Sequence, residues 1–254
     1  MLTEYEFVIV FFAAVTAGGV NALAGGGTLI SFPVLTALGI PPVAANITNT
    51  IALCPGYFGG AMAQSNDLKN QKSILITLIP ASIMGGLAGG LLLLNTGEKV
   101  FGELIPYLIL FASILLALQS PLRKWLLKRG GKYTKGLSTK VWMVIPIAIA
   151  AVYGGYFGAG LSVIILAVLG LVLDDSLTRL NAVKQILSLS VNISAAIYFM
   201  FSDQVVWAAA VVMSIGALAG GALGGRIAGK IKPDTLRIFV VIIGVAVSII
   251  YFIK

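Results

Sequence analysis

Apolar runs of about 20 residues, the length that an α-helix needs to cross a bilayer, recur along this whole 254-residue chain. Runs such as 74–94 and 238–253 do not alternate apolar and polar residues, as the strands of a transmembrane barrel do. Because 59% of the residues are hydrophobic and 10% are charged, the chain is far more apolar than an ordinary soluble domain. The sequence therefore predicts an all-α, polytopic membrane protein.

Two of the predicted helical segments are too short to cross a bilayer alone. The segments are 4–24, 28–38, 43–64, 73–94, 101–119, 141–157, 161–173, 181–201, 205–224 and 236–253. The short segments 28–38 and 161–173 each follow a break, Gly25-Gly26-Gly27 in the first case and Gly158-Ala159-Gly160 in the second. The first segment has no basic residues ahead of it, so we expect it to be retained rather than removed as a signal peptide.

The stretch 121–140 sets the predicted orientation because its charged residues are all basic. They are Arg123, Lys124, Lys128, Arg129, Lys132, Lys135 and Lys140. The positive-inside rule places this stretch in the cytoplasm, as a linker between transmembrane halves at 1–120 and 141–254. Counting crossings outward from the linker puts both termini on the non-cytoplasmic side of the membrane.

The two halves carry the same features in the same order when Gly27 is aligned with Gly160. Each half has a glycine break, a short apolar segment, a turn, a long segment that begins with amide side chains, a glycine-studded segment and a final helix. One hairpin plus three crossings reverses the side of the membrane. The sequence thus predicts two inverted-topology repeats, each a glycine-broken helical hairpin plus three transmembrane helices. Whether the hairpins are re-entrant or cross completely stays open.

The glycines divide into two predicted roles. The pairs Gly85/Gly89 and Gly216/Gly220 have the spacing typical of close helix packing. The two breaks coincide with shortened helices at matching positions, which favours a ligand site where helix N-termini present unpaired N–H groups to an anion. The candidate residues at these breaks are Gly25, Gly26, Gly27, Thr28, Gly158, Gly160, Leu161 and Ser162.

Polar side chains within the predicted segments supply further candidates. Asn46, Asn49, Asn181 and Gln185 are candidate hydrogen-bond donors to the ligand, and Asn21 is a candidate with helix capping as its alternative. Arg237, at the edge of the last segment, is counted with the loop before it, so Lys184 is the only basic residue placed inside a segment. There it either carries a functional charge or snorkels to the membrane surface.

The positions of the acidic residues and the absence of histidine argue against catalytic and metal-binding sites. No Asp or Glu lies at the centre of a predicted segment, and the chain has no histidine. We therefore expect no catalytic residues, no metal ligands and no cofactor, and the polar candidates favour an anionic substrate over a cation.

The first break and its surroundings resemble a known family. The sequence NALAGGGTLISFP at 21–33, followed by GIPPVAAN at 39–46, is similar to the first-half signature of the TauE/SafE sulfite exporter family. The likeness extends over nearly the whole chain through the repeat and the basic linker. It implies a permease for sulfite, sulfoacetate or related anions in a bacterial inner membrane. The family's glycine motif maps onto Gly25, Gly26, Gly27 and Thr28, and in the second half onto Gly158, Ala159 and Gly160, where Ala159 departs from a triple glycine.

The predicted function is a secondary transporter for small anions, sulfite or a sulfonate, by alternating access at a midplane site between the repeats. The alternative is an anion or small-solute channel without alternation, built from the same broken helices. An enzyme is not expected. The expected partners are the anionic substrate and the lipid bilayer, with no nucleic acid and with a homodimer left open.

Overall fold

The computed structural model describes residues 2–129, 137–173, 175–227 and 233–253, and every regular element within those ranges is helical. The prediction of an all-α protein is thereby confirmed. The side chains of residues 122–141, which include the basic linker used to predict orientation, lie outside the described part of the chain. The helices are α1 (Glu4–Leu23), α2 (Thr28–Ala37), α3 (Pro42–Ala63), α4 (Lys72–Arg129), α5 (Leu137–Tyr156), α6 (Leu161–Val172), α7 (Leu177–Phe199), α8 (Trp207–Ile227) and α9 (Pro233–Ile253). A 3-10 helix at Ser65–Leu68 lies between α3 and α4.

The helices have the length and surface of membrane-spanning elements. Among the described residues, five stretches are long and apolar enough to cross a bilayer: Glu4–Leu23, Lys72–Pro121, Leu177–Phe199, Trp207–Ile227 and Thr235–Ile253. Large apolar side chains such as Phe12, Ile76 and Trp142 are exposed on the outside of the bundle. Such a surface suits lipid rather than water. The chain is a multi-pass membrane protein.

α4 contains a turn that separates the two segments predicted at 73–94 and 101–119. Gly97 has φ +74° and ψ 160°, which is not helical. The next residue, Glu98, accepts hydrogen bonds from the Val43 N–H at both carboxylate oxygens, at 3.2 and 3.1 Å. A carboxylate at a helix N-terminus is favourable, so the turn in α4 stabilises the start of α3.

Both glycine breaks interrupt the helical path. Gly25 and Gly26 have φ values of +81° and +92°, and Gly158 and Gly160 have φ values of +81° and +79°. Only glycine adopts this left-handed region without strain. The helices that follow have 10 and 12 residues, or about 15 and 18 Å at 1.5 Å per residue, so both are short as predicted.

α8 packs between α1 and α3 through a glycine-lined face. Gly220 lies against the backbone of Val15 on α1, and Gly221 lies against the backbone of Gly56 on α3. A Cβ on either α8 glycine would overlap the neighbouring backbone. These small residues therefore set the separation of the three helices.

α4 packs between α5 and α7 in a similar way. Gly89 lies against Val152 on α5, and Gly86 lies against Val191 on α7. Each half of the sequence thus places one helix between two helices of the other half. The contacts confirm the packing role predicted for the pairs Gly85/Gly89 and Gly216/Gly220.

Candidate functional site

The two glycine breaks lie next to each other in the interior of the bundle. A Cβ added to Gly25 would lie 2.8 Å from the Cβ of Ser162, in the first turn of α6. A Cβ added to Gly158 would lie 3.9 Å from Thr28 Oγ1, at the start of α2. Thr28 and Ser162 are 4% and 2% exposed. The start of each short helix therefore borders the break that precedes the other short helix.

Backbone N–H groups at both breaks remain unpaired. Within the described part of the chain, the N–H groups of Gly26, Thr28, Ala159, Gly160 and Ser162 form no hydrogen bond. Unpaired N–H groups at helix N-termini are attractive to anions. Such groups are therefore found at both breaks, which lie next to each other.

The side chain of Asn21 forms a hydrogen bond within the first break. Its Oδ1 accepts a hydrogen bond of 2.7 Å from the Gly27 N–H. This is the capping alternative that the sequence left open for Asn21, and it fixes the end of α1 against the start of α2.

Asn49 on α3 connects to the start of α2 through side chains. Ser31 Oγ donates to Asn49 Oδ1 at 2.5 Å, and Asn49 Nδ2 lies 3.5 Å from Thr28 Oγ1. All three side chains are buried. The sequence identified Asn49 and Thr28 but not Ser31, because a single serine in a helix commonly bonds only its own backbone.

Asn46 and Asn181 hold the ends of the helices that lead into the breaks. Asn46 Nδ2 donates to the Tyr156 carbonyl at 2.8 Å, at the end of α5. Asn181 Nδ2 donates to the Ala22 carbonyl at 3.2 Å, near the end of α1, and to Gln64 Oε1 at 2.8 Å. Since an amide nitrogen carries two hydrogens, Asn181 has no donor left for a ligand in this conformation. Both acceptors of the Asn181 amide nitrogen are protein atoms here, and contact of Asn181 with a ligand stays a prediction.

Lys184 is completely buried, and its Nζ donates to the Asn21 carbonyl at 3.3 Å. The snorkelling alternative is wrong, because no part of the side chain reaches the surface. Among the described residues, Lys184 forms no ion pair with an Asp or Glu; the ion pair found there joins Arg179 to Asp175. A buried charge without a counter-charge is costly, and a bound anion would supply one.

Gln185 and Ser188 lie on α7 beside Lys184. Gln185 is completely buried, and neither its amide nitrogen nor its amide oxygen has a hydrogen-bond partner in the described ranges. Ser188 Oγ lies 3.4 Å from Ser162 Oγ. The side chain of Tyr57 on α3, which the sequence did not single out, also reaches Ser162.

Three of the predicted residues face other helices instead of the region between the breaks. A Cβ on Gly26 would meet Leu116 on α4, and a Cβ on Gly160 would meet Ala112 on the same helix. The Leu161 side chain packs against Gly154 on α5. Gly26 and Gly160 can therefore contribute backbone N–H groups to a ligand, whereas Leu161 contributes packing.

The sequence of this chain matches one protein family and several named membrane transporters. The sequence model for the family described as sulfite exporter TauE/SafE matches residues 10–251. The probable membrane transporter protein YfcA of Escherichia coli (strain K12) is 24% identical over 252 residues, which cover 98% of this chain and 90% of that protein. A probable membrane transporter protein of Haemophilus influenzae is 28% identical over 240 residues, covering 92% of this chain and 89% of that protein. The probable membrane transporter protein ORF9 of a Sinorhizobium species is 24% identical over 251 residues, covering 98% and 93%.

Proposed function

Because this chain belongs to the sulfite exporter TauE/SafE family, we propose that it is a secondary transporter whose substrate is sulfite or a related sulfur-containing organic anion such as a sulfonate. Its relatives are named as probable membrane transporters, which supports the general class. The choice of a small anion rests on the chemistry of the buried polar groups.

The observation that carries the proposal is the environment of Lys184. This side chain is fully buried and has no acidic partner among the described residues. Its Nζ contacts the carbonyl of Asn21, whose own side chain holds Gly27 in the first break. Asn21 thus links the Lys184 ammonium to the first break, and we propose that one small anion binds both the ammonium and the unpaired backbone N–H groups of the breaks.

Neutral donors from the first half complete the proposed site. These donors are carried by different elements: the Asn49 amide by α3, the Thr28 hydroxyl by α2, and the unpaired N–H groups by both breaks. A sulfite or sulfonate group presents three oxygens around one sulfur atom, so donors from several elements can each contact a different oxygen. Charge-assisted hydrogen bonds of this kind are stronger than neutral ones.

Alternating access follows from the proposed inverted repeats. In such transporters, broken helices from both repeats meet at a site near the membrane midplane, and one repeat moves against the other around it. The contact of Gly25 with Ser162 and the burial of Thr28 and Asn49 support a closed arrangement of this kind. We propose that α1 with α2, and α5 with α6, form the two hairpins that enclose the substrate.

Export is energetically possible in this scheme without a coupled ion. Moving one negative charge out of a cell with an inside-negative potential gains about 2.3 kcal/mol per 100 mV. We propose a bacterial inner membrane as the location, with both termini on the non-cytoplasmic side.

The test is efflux of sulfite and of ethanesulfonate from proteoliposomes under an imposed potential. We expect saturable efflux that is lost in Lys184→Met and kept in Lys72→Met, a control that removes an exposed lysine. Efflux that rises with substrate without saturating would instead favour a channel. Absence of flux for both anions, or full activity of Lys184→Met, would overturn the proposal.

A further inference from the structure

Two pairs of residues, one from α3 and its end and one from α7, contact each other where these helices meet. Gly60 and Gln64 are four residues apart at the end of α3, and Asn181 and Gln185 are four residues apart on α7, so each pair lies on one face. Asn181 Nδ2 donates to Gln64 Oε1 at 2.8 Å, and the Gln185 amide nitrogen lies against Gly60. The two glutamines therefore occupy adjacent turns of the same helix contact.

Among the described residues, these glutamines hold three of the four buried side-chain nitrogen and oxygen atoms that have no hydrogen-bond partner. Side-chain atoms in this state are Gln64 Nε2, Gln185 Nε2, Gln185 Oε1 and Asn46 Oδ1. Gln64 is 3% exposed and Gln185 is 0% exposed. Folded proteins leave few buried polar atoms unpaired, and a cluster of them calls for a bound ligand or water. At Gln64 the oxygen is occupied by Asn181, so the nitrogen is the atom left to donate.

The end of α1 forms the third side of this region. Lys184 Nζ donates to the Asn21 carbonyl, and Asn181 Nδ2 donates to the neighbouring Ala22 carbonyl. The nearby carboxylate of Asp175 is engaged, since it accepts from Gln71 Nε2 at 2.5 Å and lies 3.6 Å from Arg179. The region between the three helices therefore offers donors and a cation.

We propose that Gln64, Lys184 and Gln185 form an anion-binding subsite between α1, α3 and α7, which we call the glutamine subsite. The inference rests on the proposed transport function and adds Gln64 as a ligand-binding residue. Gln64 Nε2, Gln185 Nε2 and Lys184 Nζ donate to the oxygens of a sulfite or sulfonate group. Asn181 is a positioning residue that orients the Gln64 amide.

The glutamine subsite is separate from the contacts of Asn49. Gln64 follows Asn49 by about 22 Å along α3 at 1.5 Å per residue. A sulfite ion is much smaller than that distance, so it cannot contact both residues at once. The anion thus occupies two positions in series, with Lys184 between Gln64 and the first break because its acceptor, Asn21, also caps Gly27.

The experiment is equilibrium binding of sulfite and of ethanesulfonate to the purified full-length protein in detergent, by isothermal titration calorimetry. We expect Gln64→Leu and Gln64→Glu to raise the dissociation constant by about tenfold or more, because the first removes a charge-assisted hydrogen bond and the second adds a repelling charge. Gln71→Leu is the matched control, since Gln71, directly before α4, is a buried glutamine whose amide already has a partner in Asp175. We expect it to bind as the wild type does.

Gln185→Met is the second variant and keeps the test decisive if a Gln64 variant does not fold. We expect it to weaken binding to a similar extent. Wild-type binding that is unchanged by Gln64→Glu, Gln64→Leu and Gln185→Met would overturn the glutamine subsite alone and mean that water satisfies these amides. Failure of the wild type to bind either probe would overturn the proposed function and the subsite with it.

Discussion

Gly25 lies so close to Ser162 that a Cβ on the glycine would be 2.8 Å from the Cβ of the serine. The first residue of one break therefore touches the first turn of the short helix that follows the other break. Because the two residues are far apart in the sequence, their contact fixes the relation between the two halves at the centre of the candidate site. Any motion that opens the site has to separate or slide this contact.

Gly25→Ala is expected to abolish transport and lower the thermal stability. An L-residue at φ +81° costs about 1 to 2 kcal/mol, and the new methyl group also overlaps Ser162. The measurement is sulfite efflux together with a melting curve in detergent. Gly39→Ala is the control, because Gly39 has φ +83° and nothing within 4 Å of an added Cβ. It carries the backbone cost alone, so equal losses in the two variants would argue against a special role for the Gly25 contact.

Lys184→Met is expected to unfold at the same denaturant concentration as the wild type or at a higher one. Replacing a buried charged group by an apolar group of similar size is often neutral or stabilising by about 1 to 4 kcal/mol. Chemical denaturation followed by tryptophan fluorescence measures this. A strong loss of stability would mean that Lys184 is required for the fold rather than for binding an anion.

Asn49→Asp is expected to raise the KM for sulfite efflux about tenfold or more, which corresponds to about 1.4 kcal/mol. The carboxylate can still accept from Ser31, but it cannot donate to Thr28 and its charge repels an anion. Efflux kinetics in proteoliposomes give the value. Asn95→Asp places the same charge at an exposed position and is expected to leave the KM unchanged. If both variants behave alike, Asn49 is not near the substrate.

Gly221→Ala is expected to destabilise the protein by about 1 to 3 kcal/mol, because its methyl group would enter the backbone of Gly56. Gly102→Ala is the matched control in a helix with nothing within 4 Å, and it is expected to gain about 0.5 to 1 kcal/mol. Thermal melts of the two variants in the same detergent measure this difference in stability. Equal melting temperatures would contradict the tight contact of α3 with α8.

The helices and the breaks could be predicted because their signals are local. The short segments expected at 28–38 and 161–173 are helices at Thr28–Ala37 and Leu161–Val172. An apolar run gives the length of a helix, and glycines before it give the place where the chain leaves helical geometry. Neither the length of a helix nor the position of a glycine break depends on contacts between residues that are distant in the sequence.

The partners of the polar side chains could not be predicted for the opposite reason. Asn46 bonds a carbonyl 110 residues away, and Asn181 bonds one 159 residues away. Hydropathy and spacing do not say which helices meet, so both amides were expected to face a ligand. Gln64 was not singled out because a polar residue at the end of a predicted segment suits the membrane surface, and its burial arises from the contact with α7.

The position of α8 between α1 and α3 has a consequence for biosynthesis. The ribosome completes α1 and α3 long before it reaches Trp207–Ile227. Until then the groove formed around Gly18 and Gly56 lacks the helix that fills it. Lipid or the insertion machinery has to occupy that groove in the nascent chain, and assembly of the first three helices finishes only after translation has nearly ended.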